Sequence, residues 1–147
     1  MIRTIAILAL FVACAQARNV SLNNCSTAPT GKINWITIDP CHAEPCTFQS
    51  GGLVTVEGEL VSATGSDDPK LLVQTELLGV MVPYPGLSSD ACKYLTCPLK
   101  ANVVTPFKIS LDTTNWLPAG DTFIEFQLKG SDGSQYNCAW THIEIRK

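Results

Sequence analysis

The cysteines are the residues of this sequence whose number and spacing carry the most chemistry. Seven occur, and six follow residue 17: Cys25, Cys41, Cys46, Cys92, Cys97 and Cys138. An even number of cysteines in a chain that enters an oxidising compartment is typical of disulfides. The spacing favours one local pair within 41–46 and another within 92–97, if the chain reverses there, which leaves the first and last cysteines for each other. Other pairings stay open on the sequence alone.

Metal binding and catalysis find little support in the remaining polar residues. Neither close cysteine pair has the C-x2-C spacing of zinc ribbons, and His42 and His142 do not form an H-x3–5-H pair. Hydrolysis would need a nucleophile, a base and an orienting acid, and the sequence contains no G-x-S-x-G motif. The carboxylates Glu57, Glu59 and Glu125 alternate with apolar residues and therefore face solvent. We expect neither an enzyme nor a bound metal or cofactor.

The first 17 of the 147 residues predict a secretory signal peptide. Arg3 gives a basic start, residues 5–15 are apolar, and Ala15-Gln16-Ala17 has the small-x-small form of a cleavage site. A spanning helix needs roughly 20 apolar residues, so this run is too short to anchor the chain. Loss of Arg3 changes the net charge from −3 to −4. That acidity argues against nucleic acid as a partner, and we expect no stable membrane insertion.

The elements that must position these residues read as strands of a single all-β domain. Apolar and polar residues alternate in short runs separated by Gly, Pro, Asp and Ser clusters, without helical periodicity. In the last run Ala139 is expected to face inward and Trp140 outward. The runs are 33–38, 54–60, 71–77, 107–112, 124–129 and 139–145. Strands with one apolar face bury it by packing two sheets together, which predicts an immunoglobulin-like β-sandwich of about seven strands.

A segment with two prolines interrupts this pattern. In 82–85 (Val-Pro-Tyr-Pro) the prolines cannot donate ladder hydrogen bonds, so a strand must end or run along a sheet edge there. Two interpretations fit this segment: an edge that blocks aggregation, or a rigid apolar rim at the mouth of a cavity. Trp116 and Leu117 belong to a second apolar connection.

Several of these features together resemble a known family. They are the cysteine order, the Pro-Cys steps at 40–41 and 45–46, and the stretch 79–85 (Gly-Val-Met-Val-Pro-Tyr-Pro). Over residues 25–145 the chain is similar to the ML lipid-recognition family, above all to its Niemann–Pick type C cholesterol-carrier branch and to arthropod relatives such as the group 2 mite allergens. The resemblance implies an ML domain over 18–147, with an apolar cavity between its sheets. It also implies the disulfides Cys25–Cys138, Cys41–Cys46 and Cys92–Cys97.

The resemblance further implies a ligand site. In the sterol-carrying branch the aromatic of Val-Pro-aromatic-Pro lies at the cavity mouth, a role that falls to Tyr84 with Val82 beside it. The second mouth position falls to Trp116 or to Leu117, because the sequence has one extra residue there. The cavity would be lined by inward residues of the strands, namely Val54, Val56, Leu71, Val73, Leu77, Ile109, Leu111, Ile124, Phe126 and Ile143.

These observations predict a secreted, monomeric carrier for a sterol or another small lipid, such as a fatty acid or a hydrophobic semiochemical. It would contact membranes only transiently, and the lysosomal lumen is a second destination consistent with the family. The alternative is an extracellular immunoglobulin-like module that binds protein and acts in innate immune lipid sensing through a receptor. A packed core without a cavity would favour that alternative. Asn19-Val20-Ser21 is a glycosylation sequon, which predicts a glycan on Asn19.

Overall fold

Alternation of apolar and polar residues produces a strand at each of the six runs expected from the sequence. The computed structural model describes residues 18–25, 30–113 and 117–147. Its strands are β1 (Arg18–Asn19), β2 (Asn23–Asn24), β3 (Lys32–Asp39), β4 (Cys46–Gln49), β5 (Leu53–Val61), β6 (Lys70–Leu77), β7 (Val80–Pro83), β8 (Val104–Asp112), β9 (Gly120–Lys129) and β10 (Gln135–Arg146). A short 3-10 helix covers Ala91–Lys93.

The strands form two sheets that pack face to face. The first sheet has the order β1-β3-β5-β8, and the second has the order β2-β10-β9-β6-β7, with β4 parallel to β10. The predicted all-β sandwich is therefore confirmed. The described residues form ten strands rather than about seven, because β1, β2 and β4 are too short to show a period-two pattern in the sequence.

The core lies between the sheets and is built from the inward positions of each strand. In the first sheet Val56 of β5 pairs with Ile109 of β8, and both are buried. In the second sheet Phe126 of β9 pairs with Val73 of β6, and both are buried as well. These four residues belong to one hydrophobic cluster, so the two sheets share a core as strands with one apolar face require.

Strand β10 changes its facing pattern at one place. The register with β9 shifts between Gln135 and Asn137, which is a β-bulge, and the consecutive residues Tyr136 and Asn137 are both buried there. The disulfide-bonded Cys138 is buried as well, and from residue 139 onward buried and more exposed residues alternate. Ala139 is buried opposite Phe126, whereas Trp140 is only partly buried and contacts Phe123 on the outer face. The predicted orientations of Ala139 and Trp140 are confirmed.

The prolines and cysteines behave as the sequence indicates. Strand β7 ends at Pro83 and forms an edge of the second sheet. The three disulfides are those expected: Cys25–Cys138, Cys41–Cys46 and Cys92–Cys97. Crossing a membrane would require a longer apolar helix than any that the described part of the chain contains.

Candidate functional site

An apolar cavity lies between the two sheets. Its free volume is about 40 Å³. Most of the lining is hydrophobic, with polar side-chain atoms only on Tyr94, Gln127 and Asn137. The lining residues are Ile33, Ile36, Leu60, Leu71, Ala91, Tyr94, Leu95, Phe107, Ile109, Phe126, Gln127, Leu128 and Asn137. This volume exceeds that of one water molecule but is far below the roughly 300–1,000 Å³ of a typical small-molecule pocket.

Residues 89–95, hereafter the closing segment, bridge the gap between the two sheets on one side of the cavity. At one end of the segment, the Leu71 N–H of β6 donates to the Ser89 carbonyl at 2.9 Å. Near the other end, the Lys108 N–H of β8 donates to the Tyr94 carbonyl at 2.9 Å. The 3-10 helix between them is capped by Asp90, whose side chain accepts from the Cys92 N–H at 3.0 Å. The segment is thus attached to β6 in one sheet and to β8 in the other, and it contributes Ala91, Tyr94 and Leu95 to the cavity wall.

A glycine makes room for an aromatic side chain of the cavity wall. Gly58 of β5 lies opposite Phe107 of β8 on the inward face. A Cβ at residue 58 would lie 2.7 Å from Phe107 Cζ and 2.5 Å from the Trp35 carbonyl oxygen. No real Cβ tolerates such contacts, so the Phe107 ring can lie across β5 only because residue 58 has no side chain.

Asn137 is the polar residue most deeply placed in the cavity wall. It lies at the β10 bulge, opposite Leu128 of β9, and is 3% exposed. Its Nδ2 is buried and has no hydrogen-bond partner among the described residues. Buried polar atoms without partners are rare in native proteins, and each needs an explanation.

The residues predicted for the ligand site divide into four groups. Leu71, Ile109 and Phe126 line the cavity. Leu77 and Val82 are half-buried near the edge formed by β6 and β7, and Trp116 lies outside the described residues. The rest pack beside the cavity in the same hydrophobic cluster: Val54, Val56, Val73, Tyr84, Leu111, Leu117, Ile124 and Ile143.

Tyr84 connects the two sheets near the edge where a mouth was expected. Its N–H donates to the Val73 carbonyl at 2.8 Å, and its hydroxyl donates to the Asp112 carbonyl at the end of β8 at 2.6 Å. Burial, together with the nearby Asp112 carboxylate, raises the pKa of Tyr84 to about 12. The ring belongs to the core and does not line the cavity.

Several lining residues were not predicted, and the signals available for them differ. Leu60, Phe107 and Leu128 lie on the same inward parity as predicted neighbours, so alternation alone could have found them. Tyr94 and Leu95 come from an irregular segment whose position depends on hydrogen bonds to distant strands. Asn137 has the parity of Ala139 and Ile143, so alternation extended before residue 139 would have placed it inward, but a polar asparagine next to the turn was not a candidate for the core.

The charged and sulfur-containing groups do not assemble a catalytic or metal site in the part of the chain that is described. One cluster has metal-like proximity, Cys25, Glu125 and Cys138, but its two sulfurs form a disulfide. His42 is exposed, and His142 is exposed on the outer face beside Trp140 at a ring distance of 5.1 Å.

Comparison with known proteins gives a consistent result. A family model described as the ML domain matches residues 19–145. The chain is 29% identical over 143 residues to NPC intracellular cholesterol transporter 2 from Mus musculus, covering 97% of this chain and 95% of that protein. It is 26% identical over 148 residues to mite group 2 allergen Der f 2 from Dermatophagoides farinae, covering 99% of each.

Solved structures show the same architecture. A Niemann-Pick type C2 protein from the Japanese carpenter ant matches with a TM-score of 0.75 at 22% identity, over 86% of this chain and 100% of that one. Chicken MD-1, solved in complex with lipid IVa, matches with a TM-score of 0.50 at 12% identity, over 88% of this chain and 98% of that one. At these identities the likeness is one of fold.

Proposed function

Because this chain belongs to the ML domain family, we propose that it is a lipid carrier that holds a small apolar ligand between its two sheets. The observation that carries the proposal is the apolar cavity itself, which lies inside the sandwich and is closed by a segment outside the strands. Relatives named as cholesterol transporters and a structural neighbour solved with lipid IVa support the same class of ligand.

Ligand binding requires the cavity to expand. A sterol or a fatty acid needs several times the 40 Å³ of free volume. The closing segment is the element best suited to move, because hydrogen bonds and packing hold it against β6 and β8 without making it part of either sheet. Tyr94, Leu95 and Phe107 line both the cavity and an open depression of about 430 Å³ on the outside. Displacement of these three residues would therefore connect the cavity with solvent.

The energetics favour such an exchange. Burial of roughly 300 Å² of apolar ligand surface would contribute about 7 kcal/mol, at about 25 cal/mol per Å². Ordering of the ligand and of the displaced side chains opposes this gain. The net binding free energy that remains suits a reversible carrier whose ligand is a sterol, a fatty acid or another small hydrophobic compound.

The proposal extends to delivery through the secretory route. Removal of the predicted signal peptide 1–17 would leave the ML domain at 18–147 as a monomer, released outside the cell or directed to the lysosomal lumen. Disulfide formation in an oxidising lumen supports this route. Asn19 is exposed on β1, where a glycan is sterically accessible.

The test is lipid binding by the protein secreted from eukaryotic cells. We expect native mass spectrometry and lipid extraction to reveal a co-purified lipid, and a fluorescent sterol or fatty acid to be displaced saturably. Ala91→Leu should lower the affinity of the protein for the fluorescent lipid at least tenfold, because Ala91 is buried in the cavity wall and a larger side chain would fill the free volume. The control is Ala63→Leu at an exposed position, with thermal unfolding to verify the fold. If no lipid co-purified and no saturable displacement were seen, the proposed carrier function would be wrong.

A further inference from the structure

We propose that Asn137 is the head-group site of the cavity, where its Nδ2 donates a hydrogen bond to an oxygen of the bound lipid. This inference rests on the carrier function proposed above and specifies which end of the ligand the protein recognises. It assigns the ligand an oxygen that accepts hydrogen bonds, such as a keto, ester, carboxyl or hydroxyl oxygen, next to an apolar body.

The unpaired amide is the first observation. Asn137 is 97% buried, as its 3% exposure shows, and its Nδ2 has no partner among the described residues. A buried donor that lacks a partner destabilises the protein, because it has lost its hydrogen bonds to water. A ligand oxygen that supplies the missing acceptor removes this penalty. A ligand with such an oxygen should therefore bind more tightly than one without it.

The position of the amide is the second observation. Asn137 lies opposite Leu128, and both line the cavity together with Ile33 and Leu60. The strand is held there by two interactions of its neighbour Cys138. One is the disulfide to Cys25, and the other is the Cys25 N–H, which donates to the Cys138 carbonyl at 3.3 Å. A hydrogen-bond donor held in place in an apolar wall can orient a lipid, because it binds the polar end of the ligand while the apolar body contacts the rest of the wall.

The other polar groups of the cavity wall already have partners. Gln127 Nε2 donates to Glu125 Oε1 at 2.5 Å, and the Tyr94 hydroxyl accepts from the Ser88 N–H at 2.8 Å. The Tyr84 hydroxyl, which was expected at the cavity mouth but lies outside the cavity wall, donates to the Asp112 carbonyl. Among the described residues of the cavity wall, Asn137 is the one that carries a buried side-chain polar atom without a hydrogen-bond partner.

The surroundings of Asn137 also suit a head group. Asn137 and Ile33 line a second depression of about 260 Å³, which carries Lys32 and Asn24. Asn137 therefore lies between the apolar cavity and a more polar depression of the surface. A ligand with its oxygen at Asn137 would direct its apolar body towards Leu95 and Phe107, on the side of the closing segment.

The experiment compares two ligands that differ in one oxygen: methyl undecyl ketone and the alkane n-tridecane. Both are titrated against a bound fluorescent probe on the wild-type protein, on Asn137→Leu, and on the control Asn34→Leu at an exposed position. We expect Asn137→Leu to weaken ketone binding about tenfold, equal to about 1.4 kcal/mol, while alkane binding stays equal or becomes tighter. A site built around a hydrogen bond discriminates in this way. The control should change neither affinity.

A second measurement does not depend on the folding of a variant. In ¹⁵N-labelled wild-type protein, the side-chain amide resonance of Asn137 should shift on addition of the ketone and much less on addition of the alkane. If both ligands bind but the ratio of their affinities is the same in Asn137→Leu and in wild type, the head-group assignment is overturned and the carrier function stands. If neither ligand displaces the probe and no lipid co-purifies, the carrier function itself fails.

Discussion

At the residue scale, Tyr84 shows how one side chain can hold two sheets together. Its backbone belongs to the edge of the second sheet, through the bond to Val73, and its hydroxyl reaches the end of β8 in the first. A phenylalanine could fill the same space but could not make the second bond. We infer that separation of the sheets at this edge first requires the bond between Tyr84 and Asp112 to break.

Tyr84→Phe is expected to lower the free energy of unfolding by about 1 kcal/mol near pH 8, because one buried hydrogen bond is lost. The pH dependence identifies the group. Since folding raises the Tyr84 pKa from 10.0 to about 12, its stabilising contribution is complete below pH 10 and is lost as the pH rises towards 12. Urea unfolding between pH 8 and pH 12 should therefore show a steeper loss for wild type than for Tyr84→Phe. Parallel curves would contradict this assignment.

At the element scale, the closing segment decides where the cavity can open. It is joined to β6 through Ser89 and to β8 through Tyr94. The Cys92–Cys97 disulfide links Cys92 in the segment to a cysteine two residues beyond its end. Leu95 forms an isolated bridge with Phe107, which connects the segment to the cavity wall. Movement of this segment would enlarge the cavity while leaving the ladders of both sheets intact.

The pairing of β5 with β8 gives a test at the same scale. Gly58→Ala is expected to destabilise the protein by about 2 kcal/mol, because the added methyl group would overlap the Phe107 ring and the Trp35 carbonyl. Chemical denaturation would measure the change. The double variant Gly58→Ala with Phe107→Leu has a smaller side chain at residue 107. It should recover part of the lost stability, because one of the two overlaps is removed. If Gly58→Ala were as stable as the wild type, β5 and β8 would have to shift enough to accommodate the added methyl group.

At the scale of the whole molecule, the disulfides act over very different lengths of chain. Cys25 and Cys138 are separated by 113 residues and join β10 to the segment that follows β2, whereas each of the other two bridges spans 5 residues. Chain-entropy arguments give the long bridge the larger effect on the unfolded state. The long bridge also holds β10 beside Asn137, so it links global stability to the geometry of the cavity wall.

The double variant Cys25→Ala with Cys138→Ala is expected to lose about 5 kcal/mol of stability on that entropy model, and Cys41→Ala with Cys46→Ala about 2 kcal/mol. Urea unfolding of the ligand-free proteins would measure both. The short-bridge variant serves as the matched control, since it removes one disulfide without opening the long loop. Equal losses would mean that local packing, rather than restriction of the unfolded chain, dominates the effect of these bridges.

Much of the architecture follows from the sequence because its causes are local. Alternation with a period of two assigns Val56, Ile109 and Phe126 to inward faces wherever their strands pair, and the structure confirms each. The prolines around Tyr84 end a strand for a reason contained in their own rings. Likewise, cysteines five residues apart can meet only if the chain reverses between them.

The place of the cavity depends on residues that are distant in the sequence, and only the tertiary structure determines it. Free volume is the difference between the space enclosed by two sheets and the side chains that enter it, so Ile33, Ala91 and Leu128 define it jointly and none does so alone. Alternation can place Asn137 inward, but only the packing of distant strands around it leaves its Nδ2 buried without a partner. Thus the sequence by itself determined the sandwich and its family, and through the family resemblance its disulfides, whereas packing between distant strands decided which residues surround the cavity and which of them has an unpaired donor.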